Sequence, residues 1–359
     1  MKILHVVTAP RAEGTPRLVL DWCKVKQHNH IILFLTEENN ELTQDFLQYS
    51  QQVYFNKVPL KSGIRKLFQL ISISKKYSQK ELPDIVICWN TGFSAWVLLG
   101  ARLAGVKKLI AHAGNPVKIN TIKEIIIFTL SFLIHYFIKS KIICCSKYVK
   151  NTYCKHWFIP KSVFFYVYNC INTSNFIRKS KSTNNTNKTK KAVMVATLEN
   201  HKDHKTLLDA WQLVSNQYQN IELELAGNGT LRTELETYSK HLALTNVTFL
   251  GTVKNIPQLL QEADIFVFST TMSEGFGTVL IEAMAVGLPI IASDVPACRE
   301  VLHNGKYGLL VEPYNKNILA ERIIDVFNDR IHFNIDENEK YARSFTPEKM
   351  IIEYLDIVQ

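Results

Sequence analysis

One stretch of this chain cannot belong to any core. Residues 178–191, RKSKSTNNTNKTKK, carry no apolar side chain, so they read as a linker or a long surface loop. On both sides of it, short apolar runs of strand length alternate with amphipathic segments of helical period. Before it, residues 3–8, 31–34, 85–89, 109–112 and 142–146 read as buried strands, and 17–26, 64–77, 95–104 and 122–138 as helices. After it, residues 192–196, 221–226, 247–250, 265–268, 289–292 and 308–311 read as strands. Residues 205–216, 231–242, 256–262, 278–286 and 318–328 read as the helices between and after them. Strands that alternate with helices in this way build a parallel sheet covered on both faces. The expected architecture is therefore α/β, with two Rossmann-like domains whose parallel sheets face a central cleft, ligand lying at the carboxyl ends of the strands. The expected boundaries are 1–177 for the first domain, 178–191 for the linker and 192–335 for the second domain. Residues 336–359 are expected to form a C-terminal helix that packs back on the first domain.

The same division sorts the charge. Residues 1–191 hold 29 basic and 9 acidic side chains and residues 192–359 hold 13 and 23, so the net +10 is a basic unit joined to an acidic one. A basic unit calls for an anionic partner: a membrane surface, nucleic acid or a phosphorylated substrate. No zinc-finger spacing, recognition-helix signature or aromatic–basic interleave is present, so nucleic acid is not an expected partner. Basic strips at 57–80 and 107–123 accompany the apolar stretch 122–138, whose Lys123, Glu124 and His135 place it at the short edge of a membrane span. It reads as a buried or membrane-leaning helix. The expected location is the cytoplasm, peripheral on the inner face of the cell membrane, with an ordinary solvated basic surface as the competing reading. Residues 3–7 are too short for a signal-peptide core and read as the first strand. Seven scattered cysteines without a Cys-x-x-Cys pair argue against a disulfide framework and a zinc site, and fit a reducing cytoplasm. The abundance of Asn, Lys and Ile is compatible with a bacterial chain.

The chemistry concentrates between Ala263 and Ser293, ADIFVFSTTMSEGFGTVLIEAMAVGLPIIAS. A strand ends near Ser269, a loop carries Glu274-Gly275-Phe276-Gly277, and a helix starts at about Thr278. The glycines let a ligand approach the backbone, and the amides of Thr278, Val279 and Leu280 open a helix N-terminus suited to a diphosphate. Glu274 and Glu282 flank that site. Ionised carboxylates are poor phosphate ligands but accept hydrogen bonds from vicinal hydroxyls. A nucleotide sugar has that layout, with sugar hydroxyls at one end and ribose hydroxyls at the other. A Glu-x7-Glu spacing by itself reads as a helix cap and a solvated helical residue; the glycines, strand and helix in the required order are what turn it to the ligand reading.

The run SEGFGTVLIEAMAVGLPIIASDVPACREVLHNGKYGLLVEP resembles the donor-site signature of the family 4 retaining glycosyltransferases. VATLENHKDHKTLLDAW, LELAGNGTLRTEL and FLGTVKNIPQLL extend the likeness over most of 192–330, and the first half resembles the family diffusely. The resemblance implies a GT-B fold and the transfer of a sugar from a nucleotide-sugar donor to a saccharide or polyprenyl-linked saccharide acceptor. It implies that Glu274 contacts the donor sugar beside Gly275, Phe276 and Gly277. It implies that Glu282 binds the ribose, that the 278–280 amides bind the diphosphate, and that Lys202 is the diphosphate-binding lysine. Asn228 lies in a Gly-x-Gly turn beside the nucleotide, and Val253, Lys254 and Asn255 match the loop that meets the base through backbone. In the first half His112 matches a histidine near the donor sugar, and Gly14 matches one glycine of a phosphate-approaching pair.

One position departs from the family: Thr197 stands where an arginine usually partners the lysine, and a hydroxyl cannot neutralise phosphate charge. No Asp-x-Asp occurs, so no metal cofactor is expected, and helix amides with Lys202 are expected to stabilise the leaving diphosphate. Two other functions share these motifs: a sugar-nucleotide epimerase of the same architecture, and a catalytically silent nucleotide-binding accessory protein.

Overall fold

The computed structural model describes every residue except 37–39, 59–62, 118, 120, 156–159 and 179–188, together with the side chains of Ile64 and Lys123. Most of the apolar-free segment therefore lies outside the described residues, as do Lys61 and Lys118 of the basic strips. The chain forms two compact units. Residues 1–170 and 347–359 make the first, and residues 171–346 the second.

The first unit holds strands β1 (Lys2–Val7), β2 (Asn29–Phe34), β3 (Gln52–Phe55), β4 (Ile85–Cys88), β5 (Lys108–Ala113), β6 (Lys141–Cys144) and β7 (Phe164–Tyr166). They pair in the order β3-β2-β1-β4-β5-β6-β7, parallel throughout. β4 is buried along its whole length, the pattern of a strand covered on both faces. The strands β3 and β7, at the two edges, are the ones the apolar pattern did not reveal.

Its core gathers Trp22, Phe34, Phe46, Trp89 and, from far along the chain, Met350, Ile351 and Tyr354. The Trp22 indole N–H donates to Met350 Sδ (3.4 Å), and the Tyr354 ring meets Trp22 edge-on at 5.0 Å. These late residues come from the helix Pro347–Ile357. Residues 336–359 are thus not one helix. The helix Ile335–Ala342 belongs to the second unit, and a break before Pro347 starts a new helix in the first. A proline biases the residue before it away from helical geometry and is itself favoured as a first helical residue.

The second unit begins earlier than the apolar pattern suggests. The Ile171 N–H donates to the Phe345 carbonyl (3.0 Å), Gln261 Nε2 to the Ile177 carbonyl (2.6 Å), and Arg178 pairs with Asp336 (2.6 Å). Its strands are β8 (Lys190–Val195), β9 (Ile221–Ala226), β10 (Val247–Gly251), β11 (Ile265–Phe268), β12 (Ile290–Ser293) and β13 (Leu309–Val311). They run β10-β9-β8-β11-β12-β13, the order of dinucleotide-binding sheets. The order reverses between β8 and β11, and the crevice outside the carboxyl ends at such a reversal is where ligands bind.

Candidate functional site

The loops leaving β8 and β11 meet at that crevice. Lys202 and Thr270 form an isolated antiparallel bridge, and the Asp203 N–H donates to the Ser269 carbonyl at 3.1 Å. Asp203 also caps the helix His204–Ser215 by accepting from the Thr206 N–H at 3.2 Å. So fixed, the turn sets the Lys202 ammonium directly against Glu274 Oε2, with both side chains nearly buried, at 12% and 10% exposure. The other carboxylate oxygen accepts from the backbone N–H groups of Gly275 (3.1 Å) and Phe276 (3.3 Å). Lys202 Nζ also lies 4.7 Å from the centre of the Phe268 ring, close enough for a cation–π contact. Burial pushes the Glu274 carboxyl up, but the Lys202 charge, its hydrogen bond and the Phe276 amide outweigh burial and hold it below the usual carboxylate range. The site is thus a desolvated, ionised acceptor locked to a cation.

Three residues that carried no signal in the sequence reading hold this pair in place. The Thr270 hydroxyl is shared between the His201 carbonyl (3.1 Å) and Glu274 Oε2 (3.5 Å). Its backbone N–H donates to the Ser293 hydroxyl at 2.9 Å. His201 receives a second hydroxyl, from Thr271, at 3.1 Å on the same carbonyl. Small hydroxyl residues are common at strand ends, so only the tertiary contact distinguishes these.

Gly277 sits at φ +84°, a left-handed conformation that favours glycine, and it turns the chain into the helix Thr278–Ala285. Thr278 and Val279 open that helix half-buried, and Glu282 lies further along it, also half-buried. Leu280 corrects the expectation of three ligand-facing amides: its N–H donates to the Gly277 carbonyl at 2.9 Å and its side chain is buried. The positive end of the helix remains an anion-favouring element.

The loop after β9 is clamped to the loop after β8. Gly227 has φ +143°, and a Cβ there would lie 1.9 Å from the Ala196 carbonyl oxygen. The Leu198 N–H donates to the Asn228 carbonyl (3.0 Å), and Glu199 accepts from the Thr230 N–H (2.9 Å) and hydroxyl (2.7 Å). Those two hydrogen bonds hold the Glu199 carboxyl below its ordinary value. Thr197 is half-buried inside this clamp, and the Asn228 side chain is exposed. Gly227→Ala should therefore displace the loop carrying Thr197 and Lys202, lowering stability of the second unit by about 2–3 kcal/mol. A denaturant midpoint equal to that of the unaltered chain would contradict this packing.

At Val253, Lys254 and Asn255, the asparagine side chain is committed to capping. Its oxygen accepts from the Gln258 N–H (3.2 Å) at the start of the helix Ile256–Glu262, while Val253 is half-buried and Lys254 exposed.

The remaining candidates lie in the first unit. His112, the next-to-last residue of β5, has Nδ1 2.7 Å from the Tyr354 hydroxyl and its ring 4.9 Å from that of Trp89. Burial pulls its pKa down to about 3, so it is a neutral hydrogen-bonding group near pH 7 rather than a base poised to titrate. Its Nε2 lies beside the loop that follows the strand, where a Cβ on Gly114 would be 3.6 Å away. Gly14 is an exposed first residue of the helix Gly14–Cys23, with nothing within 4 Å of a built Cβ. No backbone strain or close approach requires glycine there.

Residues 175–344 match the family model described as glycosyl transferases group 1. An uncharacterized glycosyltransferase of Methanocaldococcus jannaschii is 26% identical over 338 residues, covering 90% of this chain and 87% of the relative. The phosphatidyl-myo-inositol mannosyltransferase of Mycobacterium leprae is 31% identical over 138 residues, which is 37% of this chain and 36% of that enzyme. Among solved structures, Anabaena HepE in complex with UDP and glucose superposes with a TM-score of 0.83 at 18% identity, covering 99% of both chains. The architecture is therefore GT-B. The group 1 glycosyl transferase likeness falls on the unit that carries Glu274 and Lys202.

Proposed function

We propose that this chain, a GT-B protein with a group 1 glycosyl transferase region over residues 175–344, is a retaining glycosyltransferase of family 4. It moves a hexose from a UDP- or GDP-sugar to a hydroxyl of a saccharide or lipid-linked saccharide in surface polysaccharide synthesis. The observation that carries this reading is the buried Lys202–Glu274 pair beside the N-terminus of the helix Thr278–Ala285. It joins an acceptor for sugar hydroxyls, a cation and an anion-favouring helix end in one crevice. Support for a nucleotide-sugar donor also comes from HepE, solved with UDP and with UDP-glucose.

In the proposed step the acceptor oxygen bonds to the anomeric carbon on the face from which the diphosphate leaves. The carbon–oxygen bond to the diphosphate breaks, and the acceptor proton passes to a departing phosphate oxygen. Lys202 and the helix amides stabilise the developing charge, without a divalent metal. Lys202 has three N–H donors, so it can keep Glu274 while reaching a phosphate. The basic first unit meets the anionic inner face of the cell membrane, where a polyprenyl-linked acceptor would reside.

A panel of UDP- and GDP-sugars, read by release of free nucleotide with and without acceptor, tests the proposal. Acceptor-stimulated release from one donor is expected. An epimerised nucleotide sugar returned without transfer would make the chain an epimerase, and no turnover of any donor would make it a binding protein.

A further inference from the structure

The helix Ile122–Phe137 has two apolar faces, and the first unit covers one of them. On the covered side, Phe132 packs against Phe164 (5.3 Å) and Tyr153 (6.0 Å), and His135 bonds to Ser94 (3.0 Å) and Ser140 (2.7 Å). On the opposite side Ile122, Ile126, Leu130, Leu133 and Phe137 are 76%, 62%, 48%, 45% and 75% exposed. Steps of four, four, three and four residues put these five on one continuous stripe, and no acidic residue falls on it.

The helix is firmly held. Thr121 and Glu124 form a capping box at its start, and Arg102 donates from Nε to the Ile138 carbonyl (3.1 Å) at its end. Sixteen residues span about 24 Å, and no helix among the described residues is long and apolar enough to cross a membrane. A bilayer can therefore take this stripe only side-on, with the helix axis along the surface.

Charge selects what covers it. Arg102 also donates to the Lys107 carbonyl (3.1 Å), which holds the exposed Lys107 near the carboxyl end of the helix, and the exposed Lys139 follows the C-cap Ile138. The first unit as a whole carries 24 basic against 12 acidic residues. A second copy would set like charges face to face, whereas anionic lipid supplies the opposite charge beside hydrocarbon.

We infer that the outer stripe of the Ile122–Phe137 helix is the element this chain inserts into an anionic bilayer, with the exposed Lys107 and Lys139 on the lipid phosphates. The inference rests on the membrane reading given above and names the surface responsible. In the doubly wound arrangement the helix starts at the carboxyl edge of its sheet, the edge that β5 reaches one residue after His112. A lipid-borne acceptor would then have its head group held at that edge.

The test is co-sedimentation of the full chain with phosphatidylcholine vesicles, with and without phosphatidylglycerol. Binding that needs the anionic lipid and persists in part at high salt is expected. The variant Ile126→Gln/Leu130→Gln/Leu133→Gln, altered only at exposed positions, should bind on the order of a hundredfold more weakly with unchanged circular dichroism. A separate Leu130→Trp variant should gain blue-shifted emission on vesicles. If the unaltered chain binds no vesicle, the membrane reading fails and this inference with it. If the triple variant binds as well as the unaltered chain, or Leu130→Trp shows no shift, the membrane reading stands and this helix is not the element. A concentration-dependent dimer abolished by the triple variant would assign the stripe to a second copy and overturn the inference.

Discussion

Glu274→Ala is expected to lower sugar transfer by a factor of about a thousand or more and, at the same time, to destabilise the second unit. Both effects follow from the pairing with Lys202. Removing the carboxylate strands a nearly buried ammonium and takes the acceptor from the Gly275 and Phe276 amides. Breaking one side of a buried ion pair costs about 3–5 kcal/mol, so loss of activity in this variant alone would not separate chemistry from folding. The double variant Lys202→Met/Glu274→Gln does separate them. Its amide oxygen still serves the two backbone N–H groups, and no unpaired charge remains buried. Its unfolding midpoint should return most of the way to that of the unaltered chain while transfer stays absent. Recovery of transfer in the double variant would show that the pair is structural scaffolding. Lys202→Met alone makes a further distinction. With its opposing charge gone, burial pushes the Glu274 carboxyl upward, so the acid limb of the pH–rate profile should move to higher pH.

The second large effect is acid sensitivity of the first unit. Its described residues include four buried histidines, His5, His30, His112 and His135. Burial pulls His112 and His135 down to about 3 and His30 to about 4, and burial together with His30 holds His5 well below its usual value. A hydrogen-bond chain enforces neutrality at two of them. The Trp89 indole N–H, which can only donate, gives its proton to His5 Nδ1 at 3.0 Å, and His5 Nε2 lies 2.9 Å from His30 Nδ1. His5 must therefore carry its proton on Nε2 and His30 on its own Nε2. A second proton on either ring would break the chain. The unfolded chain takes up protons near pH 6.5 and the folded one does not, so stability is full above that pH. It falls as pH drops toward the folded values, by about 2 kcal/mol per histidine at pH 5. The denaturant midpoint of the first unit should decline steeply from pH 6.5 to 4.5, and His135→Asn should flatten that slope. A midpoint independent of pH over this range would rule out neutral burial.

Elements with a strong local pattern were legible in the sequence, and those dictated by distant partners were not. β4, with IVIC fully buried, and the helix Thr278–Ala285 after two glycines announce themselves. β3, whose QVYF is half-exposed at a sheet edge, does not, because an edge strand needs no continuous apolar run, and β7 pairs over only three residues of the aromatic run 163–168. Glu274 and Lys202 were each visible as candidates from the family resemblance. Their direct contact spans 72 positions, and nothing local announces it. The same holds for Tyr354 on His112, 242 positions apart, and for Thr270 and Ser293, whose small hydroxyls are unremarkable until the strand ends meet.

The route of the chain between its units also bears on how the protein is made. The second unit, 171–346, is one continuous segment, whereas the first is closed by Pro347–Ile357. On the ribosome the second unit can complete its fold as it emerges. The first must wait, with Trp22 and His112 lacking Met350 and Tyr354, until the whole of the second has been synthesised. Domains generally fold in order of synthesis; here the order of completion is reversed. A released chain truncated after residue 346 should carry a protease-resistant second unit beside a still-open first one, exposing the apolar surface that Pro347–Ile357 covers.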